Sequence, residues 1–109
     1  MTIIEKIFNN YNPLGLPDLI PYKKGNKWGF CNRHKKIITP FIYDDTTIPS
    51  EGLTIVKKGW LWGYINKDGI EVTPFIYDKA YPFSEGLAFV KKNGVEFYID
   101  KKGTEYYEK

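Results

Sequence analysis

The segment Thr39-Pro-Phe-Ile-Tyr-Asp44 occurs again, residue for residue, as Thr73-Pro-Phe-Ile-Tyr-Asp78. The two copies are 34 residues apart, and the same offset holds without a gap when residues 28–61 are placed on residues 62–95. Over that stretch, 16 of 34 positions are identical. Self-similarity at this period is the sequence signature of a repeat architecture, in which each unit is stabilised by packing on its neighbours.

Outward from these segments, the repeat predicts one domain over residues 1–109, with three units joined by two connectors. The units span about residues 17–40, 51–74 and 85–108. The connectors are Phe41–Ser50 and Phe75–Ser84.

Each unit is predicted to be a three-stranded antiparallel meander. In the middle unit the strands are expected at Leu53–Lys57, Leu61–Ile65 and Ile70–Thr73, with Pro74 ending the third because proline cannot donate to a ladder. The link Asn66–Gly69 has the residue types of a type I turn leading into a bulge, and links this short join antiparallel neighbours. The predicted fold is therefore all-β, with three tandem meander units on a 34-residue repeat.

One turn departs from the pattern. The repeat has a glycine at Gly69 and Gly103 but a lysine at Lys35. If the three turns share one geometry, Lys35 is expected at a positive φ angle.

The N-terminal residues 1–16 are predicted to cap the array. Ile3, Ile4, Ile7 and Phe8 have helical spacing, with Thr2 as N-cap, so a short helix is expected over Thr2–Asn10. This start has neither a basic region nor a long apolar region of a signal peptide, and no apolar run approaches the roughly 20 residues of a membrane span. Together with a single free thiol, this favours a cytoplasmic location without membrane attachment.

The composition argues against catalysis and metal binding. Aromatic residues make up 17% of the chain, whereas Cys31 and His34 are its only cysteine and histidine. One of each excludes an internal disulfide and disfavours cysteine-based zinc sites and histidine-based catalysis. Motifs for nucleotide binding or for a hydrolase nucleophile are missing. We therefore expect no enzyme activity, no metal and no cofactor.

The charge pattern offers a nucleic-acid alternative. The net charge is +3, and three of five lysine pairs recur at the 34-residue offset, at residues 23–24, 57–58 and 91–92. A basic stripe beside aromatic residues is the footprint of a nucleic-acid binder. However, lysines at strand ends also prevent edge-to-edge association, and Arg33 is the only arginine available for bidentate phosphate contacts.

Two aromatic residues break the repeat and are the candidate binding residues. Trp60 stands in a hairpin link where the other units have Asn26 and Gly94, and Tyr81 stands in a connector where Thr47 stands one repeat earlier. Because the repeat does not require them, Trp60 and Tyr81 are predicted to be exposed anchors for a partner.

The combination of motifs resembles a known family. Lys27-Trp-Gly-Phe30 and Leu61-Trp-Gly-Tyr64 are each followed by a turn, a Thr-Pro-Phe-Ile-Tyr-Asp segment and Ser-Glu-Gly-Leu. This pattern is similar to the WG-repeat (KWG-repeat) family, β-rich repeats found mostly in bacterial proteins. The chain departs from the family at Glu96-Phe97, where Trp-Gly is expected, and at Lys35. The resemblance implies a scaffolding or interaction segment, with no catalytic residues to carry over.

These observations predict a non-catalytic binding module. We expect another protein as its partner, because a short repeat array presents a rigid surface and open strand edges. Binding of carbohydrate or cell envelope through exposed aromatics is the alternative, and nucleic-acid binding is third. The sequence leaves the oligomeric state open.

Overall fold

The computed structural model of the protein describes residues 18–107. Within them lie ten strands, all paired antiparallel, and no helix. The strands are β1 (Ile20–Lys24), β2 (Lys27–Cys31), β3 (Ile37–Tyr43), β4 (Asp45–Thr46), β5 (Leu53–Lys58), β6 (Leu61–Asn66), β7 (Lys79–Ala80), β8 (Leu87–Lys92), β9 (Val95–Asp100) and β10 (Glu105–Tyr106).

The strands form three sheets, which we call the first, second and third sheet. Their strand orders are β1-β2-β3, β4-β5-β6 and β7-β8-β9-β10. The all-β, antiparallel prediction is confirmed. The predicted helix over Thr2–Asn10 and the cap over residues 1–16 lie outside the described residues. Among residues 18–107 there is no helix of the length and hydropathy that crossing a membrane requires.

The strand grouping differs from the prediction in the middle of the chain. Residues 70–73 do not form the third strand of the second sheet; this segment makes one isolated bridge, between Ile65 and Glu71, and a second bridge joins Trp62 to Tyr77. In the first sheet, by contrast, the corresponding strand β3 is continuous through Pro40. Pro40 is tolerated there because β3 is an edge strand, with register shifts where it pairs with β2.

The predicted connectors also contain strands. Within Phe41–Ser50, β4 pairs with β5, and within Phe75–Ser84, β7 pairs with β8. The third sheet consequently has four strands. Each connector thus leaves one sheet and adds a short strand to the next. The predicted three-stranded meander is found in the first sheet, whereas the prediction that the connectors are loops is wrong.

A buried threonine supports each of these crossings. The Thr39 hydroxyl accepts a hydrogen bond from the Phe30 N–H at 3.0 Å, and the Thr73 hydroxyl accepts one from the Tyr64 N–H at 3.0 Å. The side chain satisfies a buried donor at the point where the strand bends away from its ladder. This explains why threonine precedes proline in both copies of the repeated segment.

The hydrophobic core lies between the sheets rather than within one of them. Of its two clusters, one joins the first and second sheets and the other joins the second and third. Trp28 and Trp62 are half-buried and pack against these clusters. The glycine after each tryptophan leaves room for a ring, since a Cβ on Gly63 would lie 3.2 Å from the Phe75 ring.

The turn glycines show how closely the sheets approach. Gly69 has a φ of 79°, and a Cβ there would lie 2.7 Å from the Thr39 methyl group and 3.0 Å from an Ile38 methyl group of the preceding sheet. At Gly103, with a φ of 85°, the nearest contact would be 3.4 Å, to the Thr73 methyl group. Lys35 has a φ of 64°, which confirms the predicted positive angle.

The close approach at Gly69 predicts a difference between two equivalent glycines. Gly69→Ala should cost about 1–2 kcal/mol for the positive φ and about 1–3 kcal/mol more for overlap with a packed neighbour. The Thr39 methyl cannot rotate away without breaking the hydrogen bond from Phe30. Gly103→Ala should incur only the first cost. Urea melts check this, and equal losses for the two variants would contradict it.

The strained lysine predicts a stabilising substitution. Lys35→Gly should remove about 1–2 kcal/mol of left-handed strain, against about 0.4–1 kcal/mol of added unfolded-state entropy. The expected net gain of up to about 1 kcal/mol corresponds to a rise of about 4–8 °C or less in Tm for a domain of this size. A thermal melt measures it, and a lower Tm would contradict the strain.

Candidate functional site: the end face of the third sheet

The central residues on one face of the second sheet are buried against the chain that follows it. Leu53, Ile55 and Tyr64 on this face are 7%, 2% and 0% exposed. The Phe83 ring packs on the Tyr64 ring at a centroid distance of 5.0 Å, edge to face. The Tyr64 hydroxyl donates to the Tyr81 carbonyl oxygen at 2.7 Å. Burial raises the pKa of Tyr64 well above its usual range.

The corresponding face of the third sheet is open. Leu87 and Tyr98, 34 residues after Leu53 and Tyr64, are 42% and 51% exposed, and Phe89 between them is half-buried. The Tyr81 ring lies 5.8 Å from the Phe89 ring, which in turn lies 5.4 Å from the Tyr98 ring. We call Tyr81, Leu87, Phe89 and Tyr98 the end face. It is an apolar surface, and the residues one repeat before Leu87, Phe89 and Tyr98 (Leu53, Ile55 and Tyr64) are part of the core.

The two predicted binding residues are in different places. Tyr81 is 47% exposed and belongs to the end face. Trp60 is 87% exposed and lies in the turn between β5 and β6, where the Lys57 ammonium is 5.8 Å from its ring. Both are surface aromatics, but no aromatic contact among the described residues joins them. Their roles as anchors stay predictions.

Sequence reasoning missed Phe89 and Tyr98. Tyr98 matches Tyr64 at the 34-residue offset and was therefore counted with the scaffold. Nothing in the residue type distinguishes the buried tyrosine from the exposed one, because the difference comes from what packs on the sheet. The available signal was the departure at Glu96-Phe97, where Phe97 is buried against the Tyr107 ring at 4.9 Å.

The lysine pairs at residues 23–24, 57–58 and 91–92 lie at strand ends, as predicted, and two of their lysines contact glutamates. Lys58 is 3.0 Å from Glu71, and Lys92 is 3.5 Å from Glu105. The Lys57 ammonium lies over the Trp62 ring at 5.5 Å.

The two glutamates that contact lysines also interact with buried tyrosines. The Tyr43 hydroxyl donates a hydrogen bond to Glu71 at 3.1 Å. Burial and the negative charge of Glu105 raise the pKa of Tyr77 to about 12.

The aspartates of the repeated segment accept hydrogen bonds from the N–H groups of hairpin turns. The Asp44 carboxylate accepts the Gly59 N–H at 2.7 Å, and the Asp78 carboxylate accepts the Asn93 N–H at 2.8 Å. The Lys27 ammonium and the Gly59 N–H hold the pKa of Asp44 below its usual range. Between residues 18 and 107 no group of three or more histidine, cysteine, aspartate or glutamate side chains is placed to hold a metal ion.

A glutamate clamps the junction between the second and third sheets. The Glu51 carboxylate accepts the N–H groups of Glu85 at 2.5 Å and Gly86 at 2.9 Å, and it is 3.2 Å from the Lys101 ammonium. These contacts, led by the Gly86 N–H, lower the pKa of Glu51. Glu51 and Glu85 both have a φ of 53°, so each turn presents its N–H groups in the same way.

The clamp predicts a pH-dependent contribution to stability. Because the folded pKa of Glu51 lies below its ordinary value of 4.5, its contribution is present above that pH and is lost as pH falls through the folded pKa. Glu51→Gln should lower Tm at pH 7, and the difference from the parent protein should shrink below about pH 4.5. Glu85→Gln is the matched control. A difference that is independent of pH, or equal in both variants, would contradict the clamp.

Comparison with known proteins identifies one family. A family model described as "WG containing repeat" matches the chain twice, at residues 28–59 and 62–95. No curated protein and no solved structure matches it. The first match includes β2 to β5 and the second β6 to β8, so each copy covers one crossing between sheets. The two matches together cover more than half of the residues, and the chain belongs to the WG-repeat family.

Proposed function

We propose that this protein is a non-catalytic interaction module of three stacked units on a 34-residue repeat, and that it binds another protein through the end face. The observation that carries the proposal is the change from burial to exposure between Tyr64 and Tyr98. Exposed contiguous apolar surface rimmed by polar residues is typical of protein interaction sites. Here Lys79 on β7, Glu96 on β9 and Glu85 in the turn before β8 supply exposed charge.

The shape of the end face favours a protein partner over a sugar. Carbohydrate stacks on coplanar exposed rings, whereas the Tyr81–Phe89 and Phe89–Tyr98 ring planes are inclined by 48° and 64°. Tilted and edge-to-face rings are the arrangement that aromatic side chains adopt in protein cores and interfaces. Tyrosine and phenylalanine also provide large contact area at low entropic cost.

The charge arrangement disfavours nucleic acid. A phosphate-binding stripe needs lysine or arginine side chains that are free to displace the counterions of the nucleic acid. In two of the three recurring lysine pairs, one lysine is instead paired with a glutamate, Lys58 with Glu71 and Lys92 with Glu105. A cytoplasmic location, the absence of catalysis and a role for Trp60 as a second anchor belong to the same proposal.

Photo-crosslinking tests the proposed face. A benzoylphenylalanine at position 98 should form an adduct with a host protein, whereas the same group at Tyr22, an exposed tyrosine of the first sheet, should not. With the purified partner, Tyr98→Ser and Tyr81→Ser should each weaken binding by about tenfold or more, and Tyr22→Ser should leave it unchanged. Trp60→Ala reports on the second anchor in the same assay.

The outcomes separate this proposal from its alternatives. All four variants should keep Tm within a few degrees, because their side chains are exposed and surface changes cost about 0.5 kcal/mol or less. Equal adducts from positions 98 and 22, or binding that is unchanged in Tyr98→Ser, would overturn the end face as the site. Adducts only with further copies of the chain would assign the face to self-association instead of a different partner.

A further inference from the structure

The clamp at the second junction has a counterpart at the first. The Glu51 carboxylate is bound by the N–H groups of Glu85 and Gly86 and by the Lys101 ammonium. Thirty-four residues earlier, the same three donors are the N–H groups of Glu51 and Gly52 and the ammonium of Lys67.

The acceptor is what differs. The residue 34 positions before Glu51 is Pro17, which carries no carboxylate. No acceptor for the N–H groups of Glu51 and Gly52 is found among residues 18–107. The first junction therefore repeats the donors of the second without the glutamate that fills it.

The backbone at both junctions has the same conformation. Glu51 and Gly52 have φ angles of 53° and 78°, and Glu85 and Gly86 have φ angles of 53° and 83°. Each pair is closed by the same two hydrogen bonds, between Ser50 and Leu53 in one turn and their counterparts in the other. Successive N–H groups in such a turn form a concave anion-binding arrangement.

A cavity at the first junction is lined by all three donor residues. Its volume is about 280 Å³, and it is lined by Asp18, Leu19, Pro49, Glu51, Gly52, Thr54 and Lys67. Leu19 and Pro49 supply apolar contact for the stem of an acidic side chain. A second cavity, of about 350 Å³, shares Asp18 and Lys67 with the first and adds the Arg33 guanidinium. Lys67 is thus the basic residue of the first cavity, whose acids are Asp18 and Glu51, and the Glu51 carboxylate is already bound at the second junction. Arg33 and Asp68 line only the second cavity.

We propose that the junction between the first and second sheets is a binding site for a carboxylate from another molecule, held by the N–H groups of Glu51 and Gly52 and by Lys67. The chain itself supplies the precedent for this ligand, since it places a glutamate carboxylate on the same donors one junction later. The carboxylate belongs to an acidic side chain or to the C-terminus of a peptide. The site is separate from the end face and does not depend on it.

Amide NMR with three short peptides tests this site. The probes are Ac-Gly-Glu-Gly-NH₂ for a side-chain carboxylate, Ac-Gly-Gly-OH for a C-terminal carboxylate and Ac-Gly-Gln-Gly-NH₂ as the neutral control. Saturable shifts of the Glu51 and Gly52 amides are expected with at least one carboxylate peptide and not with the glutamine peptide. The arm that gives the tighter binding identifies the source of the carboxylate.

Matched lysine variants separate the site from general charge effects. Lys67→Gln should weaken peptide binding about three- to fivefold, as expected for one exposed ionic contact. Lys101→Gln, its counterpart at the junction that Glu51 already fills, should leave peptide binding unchanged. Asp18→Asn should strengthen binding by removing a like charge from the cavity wall.

Three results would overturn the proposal. These are equal shifts from the neutral peptide, equal weakening by Lys67→Gln and Lys101→Gln, and no shift of the Glu51 and Gly52 amides at 50 mM of either carboxylate peptide (a concentration of about ten times a weak millimolar Kd). The experiment measures binding at the first junction only, so a negative result would not bear on the proposed function of the end face.

Discussion

Burial of an aromatic face by the sheet that follows is the interaction on which the rest of this structure depends. A sheet of three short strands cannot enclose a core by itself, and such small sheets need a packing partner to be stable. The Tyr43 ring lies between Phe30 of its own sheet, at 6.1 Å, and Phe75 from the next crossing, also at 6.1 Å. Tyr64 lies between Tyr77 and Phe83 in a related way, at 6.5 and 5.0 Å. Stability is therefore shared between neighbours, as in other repeat proteins.

The crossings between sheets follow from that dependence. A connector must leave one ladder, pass the junction and add strands β4 or β7 to the next sheet. Where each connector leaves its sheet, the hydroxyl of Thr39 or Thr73 accepts a hydrogen bond from a strand N–H group that would otherwise have no partner. The carboxylates of Asp44 and Asp78 then accept an N–H group of the following hairpin turn. The same tight junction leaves no space for a side chain at Gly69. The longest identical segment of the two repeats, Thr-Pro-Phe-Ile-Tyr-Asp, thus lies at the junction between sheets and not within the hairpins.

The sequence was informative about local structure and less so about pairing across distance. The 34-residue period, the hairpins and the positive φ of Lys35 depend on residues close together in the chain, and all are found. Strand β4 was not predicted because it has only two residues and lies within the connector Phe41–Ser50, which has the composition of a loop. Residues 70–73 were predicted as a strand from their composition, but tertiary packing leaves only isolated bridges there.

The candidate sites required a different kind of reasoning about the repeat. Residues that break the pattern, such as Trp60 and Tyr81, were expected to carry function, and residues that keep it were assigned to the scaffold. The structure shows that a repeated residue is buried only where the residues that pack against it are repeated as well. Tyr98 matches the repeat but is exposed. The turn at Glu51 and Gly52 has the same N–H donors as the later turn, but the position of the accepting glutamate is occupied by a proline in the sequence. In this repeat protein, a surface is therefore left exposed wherever one half of an internal contact is present without the other.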